Sequence, residues 1–82
     1  MRVSHAPDRL EVSATLVDAR GKPCPLPIIE LAKALRAASP IELWADDPAA
    51  AADLEAFCQV TGHRLQQLDR GPLLRAVVAR GA

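Results

Sequence analysis

Apolar and polar residues follow two different periods along this chain of 82 residues. Short apolar stretches, the first two of them strictly alternating, are typical of strands with one buried face. Two longer stretches have apolar residues spaced three to four apart, which is typical of helices. The pattern predicts strands at 10–17 (best supported from 13), 41–45, 63–68 and 73–79, and helices at about 24–38 and 47–61.

The order of these elements predicts the fold. Residues 1–9 have no period and are predicted to be a flexible N-terminal arm, which leaves 10–82 as a single domain. The first strand, helix and strand favour a right-handed crossover between parallel strands. Residues 69–72 favour an antiparallel hairpin, since Gly71 can take positive φ. We therefore expect an α/β (α+β) two-layer sandwich, β-α-β-α-β-β, whose four-stranded mixed sheet carries two helices on one face.

A cysteine stands at the predicted start of the first helix, in the motif Cys24-Pro25-Leu26-Pro27. Proline has no N–H group, so Pro25 and Pro27 fit only in the first turn of a helix, where N–H groups lack intrahelical acceptors. The residue before a proline is driven toward extended geometry, which places Cys24 at the cap position. Its thiol is expected to face free N–H groups and the positive end of the helix dipole.

This environment is expected to favour the thiolate of Cys24. Helix starts and nearby cations lower a cysteine pKa from about 8.5 to roughly 3.5–7.5. Arg20 and Lys22 supply such positive charge, which is expected either to stabilise the thiolate or to dock a partner protein. A thiolate is the form that attacks sulfur. Free cysteines more often pack inertly as small apolar residues, but the flanking prolines, cations and glycine favour a nucleophile here.

The charge balance narrows the class of partner. Ten basic and ten acidic residues give a formal charge of zero, whereas a nucleic-acid binder usually has a basic excess. No apolar run approaches the ~20 residues that span a bilayer, and the first residues lack the apolar core of a signal peptide. We expect no extended nucleic-acid contact, no membrane binding and a cytoplasmic location.

The remaining cysteine and the histidines add no second predicted site. Both cysteines are expected to be free in a reducing compartment, and no cysteine or histidine has the close paired spacing of a zinc site. Cys58 lies on the apolar stripe of the second helix and is expected to be a packed thiol. The alternative is that it acts as a redox or sulfur-accepting group. It should lie on the order of 15 Å from Cys24 along the axis, too far for a disulfide. His63 is expected to be a surface residue that starts a strand.

Trp44 is predicted to lie on the sheet face away from the helices, because it alternates with Ile41 and Leu43. An aromatic residue there could anchor a partner protein. It could also be a local cover that packs against Val17 and the hairpin, which is the favoured interpretation.

The motif at Cys24 and several other segments, taken in order, resemble the TusA-like (SirA-like) family of sulfur carriers. A Cys-Pro-x-Pro motif alone would be a weak match, whereas this order and spacing over residues 14–80 are fairly specific. One departure is Lys22-Pro23, where many members carry Leu-Arg or a similar pair, which keeps a cation but stiffens the approach to the thiol. The matching segments are residues 18–21, 24–27, 45–48, 57–58 and 62–63 and the final hairpin.

The resemblance implies a two-layer sandwich like the C-terminal domain of bacterial translation initiation factor three. It also implies that Cys24 carries sulfur as a transient persulfide, with no other cofactor. A cysteine desulfurase or rhodanese-type protein would donate the sulfur, and an acceptor protein would receive it. Destinations in the family include tRNA thiolation, molybdenum cofactor assembly and sulfur metabolism, and the chain could act as a sulfurtransferase or purely as a carrier.

Two other function classes stay open at this point. A thiol redox enzyme would oxidise Cys24, although no second cysteine lies two or three residues away to resolve it. A non-catalytic regulatory module would bind a protein through the face that carries Trp44.

Overall fold

The six elements lie in the predicted order β-α-β-α-β-β in a computed structural model that describes residues 13–81. The predicted arm at 1–9 and the start of the first predicted strand at 10–12 lie outside the described residues. The elements are β1 (Thr15–Asp18), α1 (Leu26–Ala37), β2 (Ile41–Ala45), α2 (Ala50–Thr61), β3 (Arg64–Arg70) and β4 (Leu74–Ala79).

The sheet is mixed, with the strands in the order β1-β2-β4-β3. β1 and β2 are parallel, while β4 runs antiparallel to both β2 and β3. The predicted parallel pairing of the first two strands, the hairpin and the α/β two-layer fold are therefore confirmed. The hairpin turn differs in one detail: Gly71 does not take positive φ, and its N–H instead donates to Asp69 Oδ1 at 3.2 Å.

One sheet face packs against both helices and forms the core. Ile41, Leu43 and Ala45 of β2 turn to this face and are fully buried. Leu31 of α1 and Leu54 of α2 are also fully buried in the same cluster. Because burial of a leucine or isoleucine contributes about 1.5–3 kcal/mol, this cluster fixes both helices against the sheet.

The opposite sheet face carries Trp44, as predicted. The ring is only 2% exposed, its Nε1–H donates to Glu42 Oε2 at 2.7 Å, and the Arg20 guanidinium lies 5.1 Å from the ring centroid. This burial supports the local-cover interpretation over an exposed docking anchor. The expected contact with Val17 is wrong, because Val17 pairs with Leu43 and packs on the helix side.

Candidate functional site

A loop between β1 and α1 presents Cys24 close to the start of α1. The helix begins at Leu26 with Pro25 as N-cap and Pro27 in its first turn. Cys24 therefore precedes the cap by one residue, and its predicted place at the cap is wrong. The reason is a separate turn before the helix, closed by the Leu26 N–H, which donates to the Pro23 carbonyl at 2.9 Å. The proline rule limits where the helix starts and does not detect this turn.

Two aspartates that follow β2 hold the Cys24 loop. Asp46 Oδ1 accepts the N–H of Gly21 at 2.9 Å, and Gly21 has the positive φ of 82° that favours glycine. Asp47 Oδ2 accepts the N–H of Cys24 at 3.2 Å, while its Oδ1 accepts the N–H of Ala49 at 2.8 Å. These bonds join the thiol-bearing loop to the start of α2.

The second helix starts later than the predicted position 47, and Asp47 is not its N-cap. The helix starts at Ala50 with Ala49 as N-cap, and Asp47 opens a turn in which its carbonyl accepts the N–H of Ala50 at 3.0 Å. The Asp47 carboxylate is therefore available to the Cys24 backbone as well as to its own turn.

A third aspartate contacts the sulfur itself. The Cys24 thiol donates a hydrogen bond to Asp53 Oδ2, and Asp53 lies in the first turn of α2. This hydrogen bond, with desolvation and the negative charges of Asp53 and Asp47, raises the pKa of Cys24 to about 11. The expectation of a lowered pKa is therefore wrong, because the carboxylates of Asp53 on α2 and of Asp47 before it act on the thiol.

The two cations that were expected near the thiol contact other carboxylates. Arg20 forms an ion pair with Asp18 at 2.6 Å, and this contact lowers the pKa of Asp18. Lys22 Nζ lies 3.5 Å from Glu30 Oε2. Neither cation contributes to the pKa shift of Cys24. A role for them in docking a partner stays a prediction.

A groove between α1 and α2 begins beside the thiol. It has a volume of about 430 Å³, with Pro25 and Asp53 at the end near Cys24 and Val60 farther along α2. Val60 is 86% exposed, the most exposed large apolar side chain within residues 13–81. The groove leaves an open approach to Cys24, which is a half-buried free thiol.

A family profile decides what kind of protein presents this thiol. The profile described as "Sulfurtransferase TusA" matches residues 15–80, which is nearly all of the described chain. The chain belongs to the TusA family.

Individual relatives of this TusA-family chain are named as putative sulfur carriers. In Bacillus subtilis (strain 168), "Putative sulfur carrier protein YrkF" is 37% identical over 75 residues, which is 85% of this chain and 40% of YrkF. The chain thus spans less than half of that relative. "Putative sulfur carrier protein YrkI" of the same organism is 36% identical over 73 residues, covering 84% of this chain and 97% of YrkI.

A solved structure supports the fold of the TusA-family chain. The crystal structure of a SirA-like protein from Desulfitobacterium hafniense superposes with a TM-score of 0.69 at 19% identity. The match covers 83% of this chain and 99% of the other. The resemblance to the TusA-like, or SirA-like, family is confirmed.

Cys58 lies apart from the Cys24 loop. It is free, 7% exposed and packed in the core, and burial raises its pKa. It lies five residues beyond Asp53 on α2, a rise of about 7.5 Å along the helix axis.

His63 also lies away from the Cys24 loop, and its contacts are structural. Its Nδ1 accepts the N–H of Gly81 at 2.9 Å, and its ring centroid is 5.6 Å from that of Phe57. Across residues 13–81, no group of three His, Cys, Asp or Glu side chains could hold a metal ion, and no helix there is long and apolar enough to cross a membrane.

Proposed function

We propose that this chain is a sulfur-carrier protein that accepts sulfane sulfur on Cys24 as a persulfide and relays it to an acceptor protein. The main observation in support is a free, half-buried thiol on a loop that two aspartates anchor, beside an open groove. The names of the curated relatives point to the same role. The donor would be a cysteine desulfurase or a rhodanese-type protein in the cytoplasm.

The transfer is two successive sulfur exchanges. The Cys24 thiolate attacks the outer sulfur of the donor persulfide, a bond forms between the two sulfurs, and the donor cysteine leaves as a thiolate. The thiol proton of Cys24 passes through solvent to that leaving thiolate. An acceptor thiolate then attacks the outer sulfur on Cys24 and releases the Cys24 thiolate, so the carrier is restored without an external oxidant or reductant. The acceptor would serve tRNA thiolation, molybdenum cofactor assembly or sulfur metabolism.

The residues around Cys24 would keep the thiol in place between the two exchanges. Pro25 and Pro27 restrict the backbone at the helix start, and Asp47 fixes the backbone N–H of Cys24. A rigid loop loses little conformational entropy when a partner docks, which favours transfer between two proteins.

Sulfur loading tests the proposal directly. The purified chain is incubated with a cysteine desulfurase, pyridoxal phosphate and cysteine, and its intact mass is measured before and after a reducing agent. We expect a reducible gain of one sulfur atom that peptide mapping places on Cys24. The absence of any gain, with active desulfurase and rhodanese donors and a folded, unoxidised carrier, would contradict the proposal.

The free carrier should react slowly with alkylating agents at neutral pH. Because the pKa of Cys24 is raised to about 11, the thiolate fraction rises about tenfold with each pH unit from neutral toward that value. The measurement is the iodoacetamide rate against pH, followed by intact mass, with a short cysteine peptide as the reference. A rate that reaches its plateau near pH 7 would show that the thiol is already ionised.

The other two function classes gain no support from the structure. Peroxide-reactive cysteines often have a resolving thiol nearby, whereas Cys58, the other cysteine, is packed in the core. Stoichiometric formation of sulfenate at Cys24 on peroxide titration would favour the redox class. A regulatory module that docks through Trp44 would need that ring exposed, and it is 2% exposed.

A further inference from the structure

The carboxylates around Cys24 differ from the others in what they contact. Asp46 and Asp47 accept backbone N–H groups, and Asp53 accepts the thiol. Within residues 13–81, none of these three forms an ion pair. Four other carboxylates are paired with a cation: Asp18 with Arg20, Glu30 with Lys22, Glu55 with Arg70, and Asp69 with Arg75.

This contrast leaves the carboxylates of Asp53 and Asp47 beside the thiol without an ion pair, where a sulfur donor must approach, while Asp46 interacts electrostatically with Arg20. Asp53 both contacts the sulfur of Cys24 and lines the groove beside it, so any group that enters the groove toward the thiol meets this carboxylate. A donor with a carboxylate beside its reactive sulfur would be repelled, whereas an amine or guanidinium would be attracted.

We propose that Asp53 determines which sulfur donors react with Cys24, by selecting those that carry a positive charge next to the reactive sulfur. The inference rests on the proposed sulfur-carrier function and adds the chemical class of its donor. When the donor cation pairs with the Asp53 carboxylate, that oxygen no longer holds the thiol hydrogen. The thiol then loses its proton to solvent, and the thiolate attacks the donor sulfur.

The reaction can be followed with small disulfides, which need no protein donor. In each case a bond forms between Cys24 Sγ and one disulfide sulfur, the S–S bond of the probe breaks, and the leaving thiolate takes up a proton. The probes are cystamine, with two amines, 2-hydroxyethyl disulfide, which is neutral, and dithiodipropionate, with two carboxylates. The rate of mixed-disulfide formation is measured by intact mass at low ionic strength and divided by the rate of N-acetylcysteine amide, an uncharged reference thiol, with the same probe.

In the wild-type chain, we expect the normalised rate for cystamine to exceed that for the neutral probe by about tenfold, with dithiodipropionate slowest. Asp53→Asn should bring the three normalised rates close together and raise the rate with the neutral probe, since the thiol loses its anionic acceptor. Asp53→Glu should keep the preference for cystamine. Glu55→Gln is the matched control on the same helix, because Glu55 pairs with Arg70, and it should leave the preference unchanged.

Equal preference for cystamine in wild type and Asp53→Asn would overturn the inference. If Asp53→Asn does not fold by circular dichroism, the wild-type preference is measured in about 1 M salt, where the Debye length is about 3 Å. Persistence of the full preference there would also overturn it. Since these probes contain no persulfide, failure of this selectivity is distinct from failure of desulfurase loading, which tests the carrier function itself.

Discussion

Replacing Cys24 with serine is expected to abolish sulfur loading while the fold stays intact. A serine hydroxyl cannot form a persulfide, so the one atom that receives sulfur in the proposed transfer is lost. The hydroxyl can still donate to Asp53, and the backbone N–H at position 24 can still donate to Asp47, so the loop keeps its anchors. The measurement is the intact mass after incubation with a desulfurase, together with circular dichroism and thermal unfolding.

Cys58→Ala is the matched control for the loss of loading. Cys58 is 7% exposed in the core, so this change removes the second thiol without touching the Cys24 loop. We expect it to lower the free energy of unfolding by about 1 kcal/mol and to leave loading at the wild-type level. A folded Cys24→Ser variant that gains sulfur on Cys58 at the normal rate would contradict the assignment of Cys24.

Local rules in the sequence predicted most of the fold. Pro25 and Pro27 limited the start of α1 to within two residues, and Gly62, with a φ of 82°, ends α2 as expected. The position of β4 between β2 and β3 was harder to predict from the sequence, because strand pairing depends on contacts between distant residues. The face of Val17 on β1 was predicted wrongly, since a shift of one residue exchanges Leu16 and Val17 between the two sides of the sheet.

The position of the thiol was predictable, but its chemical environment was not. The sequence placed cations next to Cys24, and those cations instead pair with Asp18 and Glu30. The decisive neighbour, Asp53, is distant in sequence and reaches the thiol only because α2 packs beside the loop. One signal was available: Asp53 immediately precedes Leu54 of the apolar stripe, within the first two turns of the second predicted helix. That signal places a carboxylate at the correct end of the helix without showing that it touches sulfur.

Replacing Leu54 with alanine is expected to be the most damaging of the simple core truncations on α2. Leu54 is fully buried in the cluster between the helices and the sheet, and removal of a buried leucine side chain costs about 2–5 kcal/mol through lost burial and a residual cavity. Small domains have a total stability of only about 5–15 kcal/mol, so this loss is a large fraction of it. Because Asp53 is the adjacent residue, a loosened α2 should also weaken its contact with the Cys24 thiol.

Urea unfolding of Leu54→Ala, followed by circular dichroism, measures this effect. With a denaturant slope of about 1–3 kcal/mol per molar urea, a loss of about 2–5 kcal/mol should lower the midpoint by roughly 0.7–5 M. Val60→Ala is the matched control, since it truncates an apolar residue on the same helix that is 86% exposed, and its unfolding free energy should stay within about 0.5 kcal/mol of wild type. Equal midpoints for the two variants would show that Leu54 does not hold α2 against the sheet, and the path by which Asp53 reaches the thiol would have to be reconsidered.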